Sequence, residues 1–389
     1  MKVTKMSSAG LEPVSIHLIG ISGYARAVLH SLLEVIESAG GRLAAATVIN
    51  REEEEDSCRL LESRGCRIFS DYREMLEASD PSDRNLCIIP TSIFQHAPMT
   101  VAAIRAGCHV LVEKPLAGSV EDCRMMIRES ALNGRAVSVG FQDMYAPQVA
   151  QIKKALDDGI IGRMRAIRIT ASWPRDLAYY TRNRWAGKET CEGRPVFDSP
   201  LCNAFAHFVN LALFFAGREP GKMARVASVH GRLFRFFPIE TFDTARVSFD
   251  TEEEIEIGCT LTHAAAERLE PLIEITCDHG TLQWRQEDQA SIMDLGGEPL
   301  IQWPLDSEET NRRRMLARVI QDTLAGNAPA CSAAMAMHHV EAFRLAARDL
   351  PVEDGPAALQ IERQESASRW SGIPELLDRL LEADFALSR

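Results

Sequence analysis

The chain has 389 residues, 46% hydrophobic, 25% charged and 6% aromatic, which requires a packed globular protein and, at about 150 residues per domain, more than one domain. Asp and Glu total 55 against 43 Lys and Arg, and the resulting net charge of −12 is spread along the chain, which excludes an electrostatic nucleic-acid binder. Apolar runs all break well before the ~20 residues of a membrane span, and MKVTKMSSAGLEPVS lacks a signal-peptide core, so a cytoplasmic protein without membrane partners is expected.

The first ~140 residues alternate short apolar strands with amphipathic helices, the pattern of a doubly wound parallel sheet. PVSIHLIG (13–20) reads as a strand, and a stripe through Ala27, Val28, Ser31, Leu32, Val35 and Ile36 reads as the helix after it, stopped by Gly40-Gly41. RLAAATVI is a second strand, and residues 52–64 form a helix with acid in its first turn. Strands are expected at 66–69, 85–90, 109–112 and 136–140, with helices near 71–78, 97–106 and 119–133 between them. Six strands with their helices make a dinucleotide-sized Rossmann unit, assigned to residues 1–142.

The rhythm then changes. A helix over 147–157 precedes the long alternating strand GRMRAIRITASW, and an apolar helix lies near 200–215. Segments 222–236, 242–250, 254–262, 271–277, 280–285 and 290–295 follow as strands without helices between them, which requires an open, mostly antiparallel sheet in an α+β domain. Helices near 308–325 and 333–349 complete a domain assigned to 143–350, and a helix over 373–386 marks a C-terminal helical extension, 351–389. The ten cysteines contain no Cys-x-x-Cys and sit in apolar stretches, as buried free thiols in a reducing compartment would.

Gly20-Ile-Ser22-Gly23-Tyr24-Ala25 is a variant of Gly-x-Gly-x-x-Gly/Ala at a strand-to-helix turn. Gly20 allows the tight turn, a small residue at the second position lets the backbone approach a pyrophosphate, Ala25 lets helix pack on strand, and the helix N-terminus attracts the phosphates. Ser22 departs from the pattern. At the end of the second strand, Asn50-Arg51 replaces the acid that bonds the adenine ribose of NAD; Asn50 does not repel a 2′-phosphate and Arg51 can pair with it, so NADP is favoured slightly over NAD.

The fifth strand runs into Glu113-Lys114-Pro115, which places a lysine where open α/β sheets bind ligands; Pro115 restricts the turn and admits a cis bond. With the phosphate turn, PTSIFQHAPMTVAAIRAGCHVLVEKPLA (90–117) and VGFQDMYAPQVAQIKKALDDGIIGRMRAIRI (139–169) closely resemble the glucose-fructose oxidoreductase, inositol dehydrogenase and rhizopine catabolism (Gfo/Idh/MocA) family over at least residues 14–262. The resemblance implies a nucleotide-binding half followed by an open antiparallel sheet. It implies Pro90, Thr91 and His96 along the nicotinamide, Glu113 and Lys114 at its ribose, and Lys114 at the reacting oxygen. The family's Asp-x-x-x-His helix matches Asn203-Ala-Phe-Ala-His207: His207 keeps the acid/base position, while Asn203 takes no proton and is left to orient His207 or bond a substrate hydroxyl. Asp198 either substitutes for the missing acid or caps the helix.

The loop before that helix, Trp173-Pro-Arg-Asp176 and Tyr179-Tyr-Thr-Arg-Asn-Arg-Trp-Ala-Gly187, gathers aromatics and donors that suit a sugar-like ligand. It is similar to a subgroup that pairs Tyr-Tyr and Arg-Asn-x-Trp-Ala-Gly with Asn-Ala-x-Ala-His. Gln142, Arg175, Tyr180, Arg182, Asn203 and His207 are the expected substrate contacts, and Arg312 to Arg314 are expected on a solvated helix face. No metal is expected, since His338 and His339 are adjacent and face different sides of a helix. The expected activity is hydride transfer between NAD(P) and a sugar, inositol or related polyol by Lys114 and His207. A lyase or glycosidase using bound NAD transiently and a non-catalytic NAD(P) sensor are the alternatives. An open sheet face needing cover predicts a homodimer or homotetramer.

Overall fold

The computed structural model describes residues 12–80, 84–219, 221–265 and 267–355. The expected helix at 373–386 lies outside the described residues. Six strands, β1 (Val14–Ile19), β2 (Gly41–Thr47), β3 (Arg67–Phe69), β4 (Asn85–Ile89), β5 (His109–Val112) and β6 (Val137–Val139), form a parallel sheet in the order β3-β2-β1-β4-β5-β6. The order reverses between β1 and β4, so a crevice opens beyond their carboxyl ends. Helices α1 (Tyr24–Val35), α2 (Glu55–Ser63), α3 (Tyr72–Glu77), α4 (Ile93–Arg105) and α5 (Val120–Asn133) make the crossovers. Helix α4 starts four residues earlier than expected and carries Pro98 inside it, whose missing N–H costs only the bond that Phe94 would accept.

The second sheet has nine strands: β7 (Met164–Ser172), β10 (Val226–Arg235), β11 (Thr244–Thr251), β12 (Glu256–Thr262), β13 (Leu269–Cys277), β14 (Gly280–Arg285), β15 (Gln289–Asp294), β16 (Pro299–Pro304) and β17 (Val352–Asp354). Between β7 and β10 lies a two-stranded hairpin, β8 (Thr190–Cys191) and β9 (Arg194–Pro195). The nine run β16-β15-β14-β13-β7-β12-β11-β10-β17, antiparallel except for the parallel pairs β7/β12 and β10/β17. Neither edge strand is evident in the sequence. β16 is bounded by prolines at both ends, exposed along most of its length and alternates only over Ile301-Gln302-Trp303, and β17 is three residues long.

Helices α6 (Pro147–Asp157), α7 (Leu177–Thr181), α8 (Ala206–Ala216), α9 (Glu308–Ala325) and α10 (Ala333–Asp349) complete the chain. Helix α8 is apolar nearly all round and packs against β7, β12 and β13 on one side and α10 on another, which is why it shows no clean stripe. Helix α9 does not join the second sheet: it lies against α1 and β1 of the first, through Met315, Leu316, Val319 and Ile320. One apolar core runs through both sheets, and all ten cysteines are free and buried.

Candidate active site

The turn after β1 has the backbone a phosphate needs. Gly20 and Gly23 adopt φ of 91° and 61°, and a Cβ added at either would meet nothing within 4 Å, so the turn is an open cradle at the start of α1 that fits a dinucleotide's phosphates. Ala25 is buried against the sheet and Tyr24 is exposed over the crevice. The Ser22 hydroxyl donates to Asn50 Oδ1 at 3.1 Å, tying the turn to the end of β2, and Asn50 Nδ2 donates to Glu53 at 2.9 Å. Arg51 points along α2 instead, to Glu62 at 2.5 Å.

The Glu113-Lys114-Pro115 turn closes β5 with a cis Lys114–Pro115 bond. Glu113 is buried against Gly140, where a Cβ would lie 2.9 Å from its carboxyl group, and burial pushes its pKa up to about 7 despite the neighbouring Lys114. Lys114 Nζ crosses the crevice and donates to the Asn203 carbonyl at 2.9 Å and to Asn203 Oδ1 at 3.0 Å. Burial pulls its pKa below the usual lysine value. His96, expected beside the nicotinamide, is instead 0% exposed: its Nδ1 faces the Pro115 carbonyl at 2.8 Å and its Nε2 the Thr91 carbonyl at 3.1 Å. It braces the two loops that flank the crevice, Pro90-Thr91 and the cis turn, and burial lowers its pKa to about 4.

On the opposite wall, residues 200–204 form a π-helical turn before α8. Ser199 caps it, accepting from the Cys202 N–H, so Asp198 does not have the expected capping role. Asp198 accepts from Asn203 Nδ2 and from the Gly187 N–H, each at 2.8 Å, which builds a buried chain Lys114–Asn203–Asp198. Asn203 therefore orients Lys114; it makes no bond to His207. The His207 ring is held edge-on by Phe141, centroids 5.6 Å apart, and burial drops its pKa well below the usual histidine value. Gln142, beside Phe141, is buried with an unpartnered Oε1.

The aromatic loop gives its two adjacent tyrosines different neighbours. Tyr180 is half-buried and packs on Phe237 with its hydroxyl buried and unpartnered, whereas Tyr179 is the ring that Arg175 and Arg182 both cover, at 4.4 and 3.5 Å from its centroid. Arg312 was not evident as a site residue. Its side chain is only 10% exposed, and it stands over Tyr24 with Nε 3.4 Å from the hydroxyl, while Arg313 and Arg314 take the expected outer positions with acidic partners. In sequence its Glu308 four residues earlier reads as an ordinary exposed helix pair; only the docking of α9 on α1 reveals it. Among the described residues no three His, Cys, Asp or Glu side chains are grouped to hold a metal, and no helix is long and apolar enough to cross a membrane.

Two family models match. Residues 14–141 match "Oxidoreductase family, NAD-binding Rossmann fold" and residues 149–283 match "GFO/IDH/MocA C-terminal domain". The dTDP-3,4-didehydro-2,6-dideoxy-alpha-D-glucose 3-reductase of Streptomyces violaceoruber is 27% identical over 43% of this chain and 48% of its own length. Inositol 2-dehydrogenase 2 of Saccharopolyspora erythraea is 30% identical over 36% of this chain and 41% of its own. The matched region thus spans less than half of these curated relatives. The WlbA dehydrogenase of Bordetella pertussis, solved with NADH and UDP-GlcNAcA, superposes with a TM-score of 0.69 at 20% identity, covering 87% of this chain and 97% of that one. With a six-stranded nucleotide-binding sheet, the Glu-Lys-Pro turn and both domain matches in place, the chain belongs to the Gfo/Idh/MocA oxidoreductase family.

Proposed function

We propose that the protein transfers hydride between a nicotinamide cofactor and a secondary alcohol or ketone of a sugar, inositol or related polyol. The observation that carries this reading is the convergence of Lys114, from the carboxyl end of β5, with Asn203 and His207 from the opposite wall. The sugar and inositol relatives, matched over part of their length, support the substrate class. Gly20, Ser22, Gly23, Tyr24 and Ala25 hold the phosphates, Asn50 and Arg51 the adenine ribose, and Pro90, Thr91, Glu113 and Lys114 the nicotinamide end. NADP is preferred slightly, because no acid stands at position 50. The cofactor, when bound, supplies or accepts the hydride. The protein supplies a lysine cation that stabilises charge on the substrate oxygen and a neutral buried imidazole that receives the alcohol proton. Arg175 and Arg182 grip substrate around Tyr179.

The second-sheet face supports self-association as a homodimer or homotetramer, and ten buried free thiols support a cytoplasmic setting. Light scattering that gave a monomer mass at micromolar concentration would refute the former. The functional test is a panel of polyols, sugars and sugar acids with NAD and with NADP, followed by nicotinamide absorbance. Turnover on a secondary alcohol or its ketone is expected. Absence of turnover across the panel, or substrate conversion without net absorbance change, would overturn the dehydrogenase reading.

A further inference from the structure

We propose that Asp143, from the short helix that joins the two domains, orients His207 and thereby replaces the acid missing from position 203. The inference rests on the proton-handling role given to His207 above. Position 203, one turn before the histidine, holds a neutral amide whose oxygen is committed to Lys114 and whose nitrogen is committed to Asp198. His207 Nδ1 is left buried without a hydrogen-bond partner. The carboxylate oxygen that faces it is Asp143 Oδ2, 3.9 Å away, on a side chain only 4% exposed.

Asp143 is itself held in place. Asn311 Nδ2 on α9 donates to its Oδ1 at 3.0 Å, which leaves Oδ2 as the oxygen turned to the imidazole. Phe141, two residues before Asp143, fixes the ring plane. A shift of about 1 Å converts the contact into a charge-assisted N–H···O bond, the tightening expected between a free and a substrate-bound site. Nδ1 then carries the hydrogen and Nε2 presents its lone pair. On oxidation the hydroxyl proton passes to Nε2 as the C–H bond yields its hydride to the nicotinamide, the alcohol becoming a ketone; the imidazolium formed is balanced by the Asp143 carboxylate. In reduction the same proton returns to the new hydroxyl.

Lys114, Arg312 and His339 oppose the protonation of His207 by charge, and Asp143 is the carboxylate that faces its Nδ1. Asp143 in turn is acted on by Asn311, Glu308 and Glu287, and burial raises its carboxyl to about 6. Below that pH it is protonated and the acceptor is lost, so oxidation is expected to rise with pH through about 6.

The test uses the full chain, wild type and Asp143→Asn and Asp143→Glu, on whichever substrate the panel identifies. Asp143→Asn is expected to lower kcat about tenfold or more with KM nearly unchanged, and to erase the limb near pH 6, while Asp143→Glu keeps the limb. Nitrogen-15 NMR of the imidazole reads the same point without turnover: His207 is Nδ1-protonated in the wild type and loses that single tautomer in Asp143→Asn. Should the variant keep both the pH limb and the tautomer, Asp143 is only packing and the proposal fails. A tautomer set by Asp143 in a protein that transfers no hydride would retain the orientation and remove the dehydrogenase reading.

Discussion

The two sheets bring their side chains to the crevice by different routes. The parallel sheet places Lys114 directly, at the end of a buried strand and before a proline, so its position follows from a dozen consecutive residues. The second sheet places nothing directly. His207 and Asn203 ride on a helix segment laid across it, Arg175 and Arg182 sit on a loop tied down at Gly187 and His263, and Arg312 rides on a helix that leaves this sheet to pack on the other. Strand-end positions are fixed by local backbone, whereas helix and loop positions depend on packing between distant segments.

The largest expected effect breaks the direct route. Lys114→Ala removes the cation while leaving Asn203 tied to Asp198, and turnover is expected to fall by about 10²–10⁴-fold with little change in the melting temperature. Unchanged turnover would move the chemistry away from β5. The next prediction breaks the seam between the routes. Gly118, three residues past the cis proline, abuts the β9 hairpin so closely that a Cβ would lie 2.4 Å from the Pro195 carbonyl oxygen and 2.8 Å from the Val196 nitrogen. Both neighbours are backbone and cannot swing aside. Gly118→Ala is expected to cost about 1–3 kcal/mol in a denaturant titration; a loss below about 0.3 kcal/mol would mean the hairpin floats. On the indirect route, Arg182→Gln is expected to raise KM about tenfold and leave kcat within about twofold, since its guanidinium lies over Tyr179 and Trp185 and not at the reacting atoms. A kcat loss with constant KM would place Arg182 in the chemistry.

The same contrast explains what the sequence revealed. The six parallel strands, the phosphate turn and Lys114 were legible because periodicity and short motifs encode them within single segments. The run of strands without helices pointed to the second sheet, but its parallel β7/β12 pair and the three-residue β17 carry no local signal, and the proline-bounded edge β16 alternates over only three residues. Among candidate site residues, His207 was picked out through the family's Asp-x-x-x-His pattern, while its facing acid was not: Asp143 is 64 positions away, and only the packing of the short helix after β6 against α8 brings the two together. Arg312 was misread because an i,i+4 pair with Glu308 looks the same on an exposed helix as on one docked over a crevice. Tyr179 and Tyr180 are adjacent and chemically alike, and only the fold separates them, one against Phe237 and the other under Arg175 and Arg182.

The smallest expected effect concerns the cofactor's 2′-phosphate, at the far end of the direct route. Asn50 brings no negative charge there, and Arg51 is the available cation, yet its side chain is 57% exposed and paired with Glu62 at 2.5 Å. A charge-assisted bond to phosphate is worth about 1.5–3 kcal/mol before exposure and salt reduce it. Reaching the phosphate requires leaving Glu62, and an exposed pair of that kind contributes about 0.2–1 kcal/mol. The difference is on the order of 1 kcal/mol, or roughly a fivefold preference for NADP over NAD. Arg51→Ala should therefore weaken NADP binding about fivefold and leave NAD unchanged, Asn50→Asp should reverse the order, and Glu62→Gln should strengthen NADP binding by freeing the arginine. Calorimetry on the three variants separates the contributions. Glu62→Gln is the decisive member, because it is the one change that improves NADP binding only if Arg51 moves: if it weakens NADP or leaves it as in the wild type while Arg51→Ala does nothing, Arg51 serves only to fasten its loop to α2.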